Sequence, residues 1–296
     1  MDDFWIILTG ILVASSCALL GCFLLLRKMT MVGDAISHAV LPGIVLAYLV
    51  SQSRASVTML VGAALFGVLT TVLIEVLHKN GKLQADASIG VSFTWLFAIG
   101  VILISYFAGQ VDLDQDCVLY GEIAYVPLDV WIANNGDNLG PISVWLMGIN
   151  LLLVVLLIII GYKGLLLTSF DPVMAATMGI STAIWHYVLM GAVSLTTVFA
   201  FESVGAILVV AFLIGPAATA YLMTENLKSM LLLSVVFGII AAVGGYWLAV
   251  WIDGSIAGAM AAVIGLEFML VFLFAPGSGI LLSHTSHTQT VENKMI

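Results

Sequence analysis

Asp34 and His38 stand four residues apart in Gly33-Asp34-Ala35-Ile36-Ser37-His38-Ala39-Val40-Leu41-Pro42-Gly43, inside a stretch apolar enough to cross a membrane. On a helix that spacing puts both side chains on one face, with Cβ atoms about 5–6 Å apart. A carboxylate near the bilayer interior costs roughly 2.5–3.5 kcal/mol on insertion scales, so its presence needs a reason. A carboxylate oxygen beside an imidazole nitrogen is a donor set that divalent first-row cations accept. Ser37 lies next to the pair. Pro42 withdraws a backbone donor and frees the carbonyl of His38, and free carbonyls at membrane depth occur where they line a cavity. The plainer alternative makes Asp34 a helix-start residue reaching back toward Arg27 and Lys28. That account does not extend to His38, one turn deeper.

Other polar side chains in apolar stretches carry weaker signals. His186 lies in Trp185-His186-Tyr187, which reads equally as a metal ligand or as part of an aromatic interfacial belt. Glu202 sits between two apolar runs, where it can serve as an outer ligand or simply reach water. His186 and Glu202 are sixteen residues apart, about 24 Å along one continuous helix, too far to hold one ion together. Glu75 precedes Lys79 by four residues, and an i,i+4 ion pair at the interface explains it. Glu267, in the middle of its span, should face the bundle interior or a partner chain; no partner can be named for it. His284 and His287 belong to a polar, Ser/Thr-rich terminus that reads as disordered.

The elements that must position these residues follow from composition. The chain has 296 residues, 62% hydrophobic and 8% charged, with mean hydropathy +1.20. Soluble domains run at about a quarter charged, so a globular cytosolic protein is excluded. The expected fold is all-α, a polytopic transmembrane bundle of eight or nine spans. The spans fall at about 4–26, 31–50, 57–77, 88–108, 143–162, 182–199, 204–223, 229–250 and 256–275, by length and apolarity. The boundary at Phe201-Glu202-Ser203 is the weakest. Residues 1–277 form the membrane domain and 278–296 a polar tail. No basic stretch precedes the first apolar run, which argues against a cleaved signal peptide. Three scattered cysteines, Cys17, Cys22 and Cys117, give no disulfide framework or zinc motif.

Arg27, Lys28, Lys79, Lys82, Lys163 and Lys228 all fall in alternate connections, with Arg54 alone in an opposite one and Lys294 in the tail. The positive-inside rule makes those connections cytoplasmic, with the N-terminus outside, the C-terminus inside and nine spans between. The connection 109–142 then faces outward, with Asp112, Asp114, Asp116, Glu122, Asp129 and Asp137 and no lysine or arginine. It reads as a solvated loop or as an attractor of cations. Its apolar positions, among them Val118, Leu119, Tyr120, Ile123, Val126 and Trp131, predict that part of it packs back on the membrane surface.

No Gly-x-x-x-x-Gly-Lys-Ser/Thr phosphate loop is present in the sequence, so this chain has no Walker A site of its own. Transport would draw on an ion gradient or on ATP hydrolysed by another chain. In Phe170-Asp171-Pro172-Val173-Met174-Ala175-Ala176-Thr177-Met178-Gly179-Ile180, Asp171 is a helix N-cap and Pro172 the first helical residue, with Gly179 as the stop. The pattern predicts a short capped helix, about 171–179, facing the cytoplasm. A separate ATPase could dock there, although gradient-driven carriers also contain such helices.

Four stretches together resemble the membrane subunits of metal-ion ABC importers of the zinc, manganese and iron class. They are residues 33–43, Val118-Leu119-Tyr120-Gly121-Glu122-Ile123, residues 170–180, and 201–210 continuing to Gly215-Pro216-Ala217-Ala218-Thr219-Ala220. The resemblance implies a second membrane subunit, two cytoplasmic ATPases and an external metal-binding protein, all at the inner (plasma) membrane. It puts Asp34 and His38 on the metal path, and His186 on a family position with a looser match. It puts Asp171, Pro172, Ala175, Ala176 and Gly179 on the helix that receives the ATPase. Glu267 and the histidine-containing tail depart from the family pattern. The expected function is thus that of a permease subunit, not an enzyme, for Mn²⁺, Zn²⁺ or Fe²⁺. No permanently bound cofactor and no nucleic-acid partner are expected. The alternative is a proton-coupled metal carrier using Asp34 and Glu267.

Overall fold

The computed structural model describes residues 2–51, 56–107, 123–132 and 138–275. Within these residues nine spans are long and apolar enough to cross a membrane. They are α1 (Asp2–Leu26), the pair α2 (Val32–Ala39) and α3 (Leu41–Ser51), α4 (Ser56–Lys79), α5 (Ala85–Phe107), α6 (Ile142–Phe170), α8 (Thr182–Val204), α9 (Ala206–Met223), α10 (Leu227–Ile252) and α11 (Ile256–Phe274). Between α6 and α8 lies the short α7 (Pro172–Thr177).

Lipid is as apolar as leucine, so helices in a bilayer associate by close packing at small residues. α1 is the centre of that packing, contacting α6, α8, α9 and α10. Its Gly21 lies against the carbonyl of Leu213 on α9, where a Cβ would collide with backbone. Ala14 of α1 meets Gly238 of α10, and Gly245 of α10 meets the backbone of Met260 on α11. A second set of close approaches joins α2 to α5. Gly43 and Gly62 bring α3 and α4 together backbone to backbone. Gly67 of α4 receives Ser194 of α8 and Ile36 of α2.

Four features differ from the sequence expectation. The second span is divided at Val40, because Pro42 cannot continue the hydrogen-bond ladder; Gly100 of α5 packs against Pro42 there, 2.9 Å from ideal Cβ to proline Cδ. The sixth span runs on to Val204, and the chain turns at Gly205, whose φ of +82° suits glycine alone. Glu202 is therefore in the last turn of a helix and not between two. α6 extends to Phe170, two turns beyond the expected end at residue 162, since nothing from Lys163 to Ser169 interrupts helix.

The fourth feature is in the long connection. After a 3₁₀ turn at Ile123–Leu128, strands β1 (Val130–Ile132) and β2 (Asn138–Pro141) pair antiparallel. Ile123 and Val126 are buried, and the turn packs on α1, α8 and α11, as the apolar positions predict. Asp112, Asp114, Asp116, Cys117, Val118, Leu119, Tyr120, Glu122, Asp137, His284 and His287 lie outside the described residues.

These approaches make a direct prediction. Gly21→Val should destabilise the bundle by about 1–3 kcal/mol or more through overpacking. Gly148→Val, at a position whose added Cβ would meet nothing within 4 Å, should leave it nearly unchanged. Thermal unfolding of the two purified variants in detergent measures the contrast, and equal midpoints would contradict it.

Candidate functional site

α2 is eight residues long, with Asp34 in its first turn and His38 in its last. Backbone amides at a helix start favour a carboxylate, and carbonyls at a helix end favour a cationic or donating imidazole. The two side chains meet along the face between, Asp34 Oδ1 lying 3.5 Å from His38 Nε2. Both are half-buried, whereas Ile36 and Ser37 are buried. Ser37 donates its hydroxyl hydrogen bond to the carbonyl of Gly33 at 3.0 Å, so that hydroxyl is engaged with its own helix. Across from His38 stand two rings of α5, Phe93 at 6.0 Å and Phe97 at 5.9 Å between centroids. The imidazole is thus walled on one side by aromatic carbon, and its polar edge is turned to Asp34. The result is one oxygen and one nitrogen donor on a single turn of helix, with accessible surface remaining on each.

The other candidate ligands lie elsewhere. His186 is in the first turns of α8 and Glu202 in the last, on one continuous helix. Glu202 is exposed. His186 Nε2 is 3.7 Å from Glu75 Oε2 on α4. No cluster of three or more His, Cys, Asp or Glu side chains that could hold a metal ion occurs among the described residues. Asp34 and His38 are brought together; His186 and Glu202 are not brought to each other.

Glu75 does pair with Lys79 in the expected i,i+4 manner, but it is not a surface carboxylate. Its residue exposure is 5%, and Oε2 has no partner within hydrogen-bond geometry. A nearby polar contact was equally hidden from sequence: Arg27 donates from Nη2 to Thr168 Oγ1 at 2.8 Å and from Nε to Ser169 Oγ at 3.0 Å. Burial pulls the Arg27 guanidinium down to about 10, which leaves it charged at neutral pH. The only sequence-level sign of this contact was the Arg27-Lys28 pair ending an apolar run.

The short helix α7 forms as its caps dictate. Asp171 accepts from the backbone N–H of Met174 at 2.9 Å, Pro172 is the first helical residue, and Gly179 adopts φ +78°. Ala175 is buried and Ala176 is exposed. The helix presents Val173, Met174 and Met178 outward, at 75%, 50% and 60% exposure, an apolar face that its own bundle leaves open. Glu267 shares one face of α11 with Met260 and Ile264, the buried residues of that helix. Ile264 packs against Gly215 of α9. Both carboxylate oxygens of Glu267 are buried without a hydrogen-bond partner.

Residues 3–275 match the profile of the ABC 3 transport family. The chain is 50% identical over 277 residues to the manganese transport system membrane protein MntD of Bacillus subtilis, covering 94% of this chain and 93% of that protein. It is 44% identical to the zinc transport system membrane protein TroD of Treponema pallidum, covering 93% and 75%. Among solved structures it is similar to PsaBC from Streptococcus pneumoniae in complex with Fab, at 34% identity and TM-score 0.76, covering 93% of this chain and 92% of that one.

The cap geometry predicts a local effect. Asp171→Ala should weaken α7 by about 0.5–2 kcal/mol through loss of the N-cap bond. Hydrogen exchange at the Met174 amide should accelerate accordingly while the membrane helices keep their protection; unchanged exchange would mean the cap does not hold the helix.

Proposed function

The chain belongs to the ABC 3 transport family, and from that premise we propose that it is the membrane subunit of an ATP-driven importer for a divalent transition-metal ion, Mn²⁺, Zn²⁺ or Fe²⁺. The observation that carries the reading is the Asp34–His38 pair, a mixed oxygen and nitrogen donor set half-buried on a broken membrane helix. Hard carboxylate and borderline imidazole suit all three ions, so donor chemistry alone does not choose among them. Two donors from one turn leave a coordination shell incomplete. Water or another helix completes it in passing, which suits a relay that must release its cargo more than a storage site.

Topology gives the relay its direction. With Arg27, Lys79, Lys82 and Lys228 on the cytoplasmic side, the N-terminus lies outside and the C-terminus inside. The ion arrives at the outer face from an external metal-binding protein, where Glu202 is one of the exposed carboxylates, and passes inward by Asp34 and His38. α7 then faces the cytoplasm, and its open Val173, Met174 and Met178 face docks on a separate ATP-hydrolysing subunit, with Asp171, Pro172, Ala175, Ala176 and Gly179 setting its shape. A second membrane subunit completes the path across the inner (plasma) membrane.

The assembled complex in proteoliposomes tests this. Uptake of Mn²⁺, Zn²⁺ or Fe²⁺ should require ATP and the ATPase subunit; uptake by the chain alone under a pH gradient would overturn it. Asp34→Ala and His38→Ala should each reduce uptake to background while the subunits still co-purify. Normal uptake in both variants would reduce the pair to a structural role. Competition among the three ions in the same assay identifies the cargo.

A further inference from the structure

We infer that Glu75 is a positioning residue of the transport cycle: through His186 it ties α4 to the helix unit that carries α7. The inference rests on the permease reading and adds a residue to it.

α7 hangs between the end of α6 and the start of α8, so any push on it enters through those two ends. The two ends are fitted to each other. The ring of Trp185 on α8 fills the notch left by Gly161 and Gly164 on α6, where a Cβ at either position would collide with it. The α6 end and the α8 start therefore shift as one body. Besides Lys228 of α10 over the Tyr162 ring of α6, at 5.8 Å from its centroid, polar contacts join that body to the rest of the bundle on two sides. On the α1 side, Arg27 holds Thr168 and Ser169. On the α4 side, Glu75 Oε2 faces His186 Nε2, and Tyr187 beside it also interacts with the Glu75 carboxylate.

Glu75 has the marks of a contact that changes during the cycle. One oxygen is held by Lys79 on its own helix. The other is buried, without a partner in hydrogen-bond geometry, and 3.7 Å from His186 Nε2, just beyond bonding distance. A carboxylate present only for an interfacial ion pair has no need of a second, buried oxygen aimed across to another helix. A small approach of α8 toward α4 closes a hydrogen bond there, and a small retreat opens it, which gives the pair two states. Higher along α4, Gly67 touches Ser194 of α8 and Ile36 of α2, and Gly62 touches Gly43 of α3. Ile36 lies between Asp34 and His38. The far end of α4 thus bears on the helix pair that presents the proposed metal ligands.

A cation-ligand role for Glu75 and His186 is disfavoured by their surroundings. Arg27 and Lys79 bear on His186 alongside Glu75, and Lys79 already pairs with Glu75, so a divalent ion would meet two fixed cations there. The position suits a link between helices.

The test measures metal taken up per ATP hydrolysed by the full complex with its external binding protein. Glu75→Gln and His186→Leu should each lower that ratio by about tenfold, with the half-saturating metal concentration unchanged. The double variant should be no worse than the poorer single, as expected for two partners in one contact. A wild-type ratio in Glu75→Gln, an additive double variant, or a half-saturating concentration that moves with the ratio would each overturn the link. A second readout does not depend on transport. Spin labels at Lys82→Cys and Ile184→Cys, in a Cys117→Ser background, should report a broader distance distribution once Glu75→Gln is added to the nucleotide-free complex; identical distributions would overturn the link. If the wild-type complex moves no metal with ATP, the permease reading fails, while the label distances still decide whether Glu75 holds α4 to α8.

Discussion

In hydrocarbon a polar group has no water to turn to, and each one left unsatisfied costs several kcal/mol. Small hydroxyl side chains meet this constraint locally. Thr9, Ser16, Ser37, Thr70, Ser92, Thr168 and Thr219 each donate to the carbonyl four residues earlier in their own helix. Apart from Thr168, which also accepts from Arg27, these bonds stay within one helix and do not dictate how helices meet. Larger polar groups cannot fold back so neatly, and their partners shape the bundle. Asn150 of α6 accepts from Thr196 of α8 at 3.1 Å in the buried interior. Arg27 reaches from the end of α1 to the end of α6. Asp34 finds His38 one turn along. Among the described residues the constraint is unmet at Glu75 Oε2 and both oxygens of Glu267, and at the neutral Asn150 Nδ2, Ser194 Oγ and Thr197 Oγ1.

The same constraint divides the molecule by kind of contact. Around α1 the helices meet through glycine, alanine and aliphatic carbon, with Gly21, Ala14 and Gly238 allowing the closest approaches. That part is dense and apolar, suited to stay in one arrangement. The α2–α5 group instead carries the broken span, the aromatic wall of Phe93 and Phe97, and the paired Asp34 and His38. Chemistry and rigidity are thus kept on separate helices, with α8 touching both groups.

Local signals were readable from sequence and distant ones were not. The caps of α7 are encoded within eleven residues, and Asp171, Pro172 and Gly179 behave as their types dictate. The Asp34–His38 contact depends only on helical spacing, so it too was legible. The break at Gly205 was misplaced by a few residues because Glu202 interrupts apolarity without interrupting helix. The far end of α6 was missed for the converse reason: Lys163 ends an apolar run but not the helix. The strands β1 and β2, only three and four residues long, are too short for their alternation to stand out. Glu75 facing His186 has no sequence signature at all, since it requires knowing which helix lies beside α4. Its i,i+4 lysine supplied a sufficient local explanation that concealed the second contact.

α6 has 29 residues, about 44 Å at 1.5 Å per residue against a hydrocarbon core of about 30 Å. Several turns of it therefore project beyond the apolar layer, and α7 is attached directly to that projection through Asp171. The direction in which α7 points is consequently written in helical phase and not in a loop conformation. Adding or removing one residue between Lys163 and Phe170 would swing α7 by about 100° around the α6 axis. A change in the length of this segment would therefore re-aim α7 even with every side chain of α7 kept.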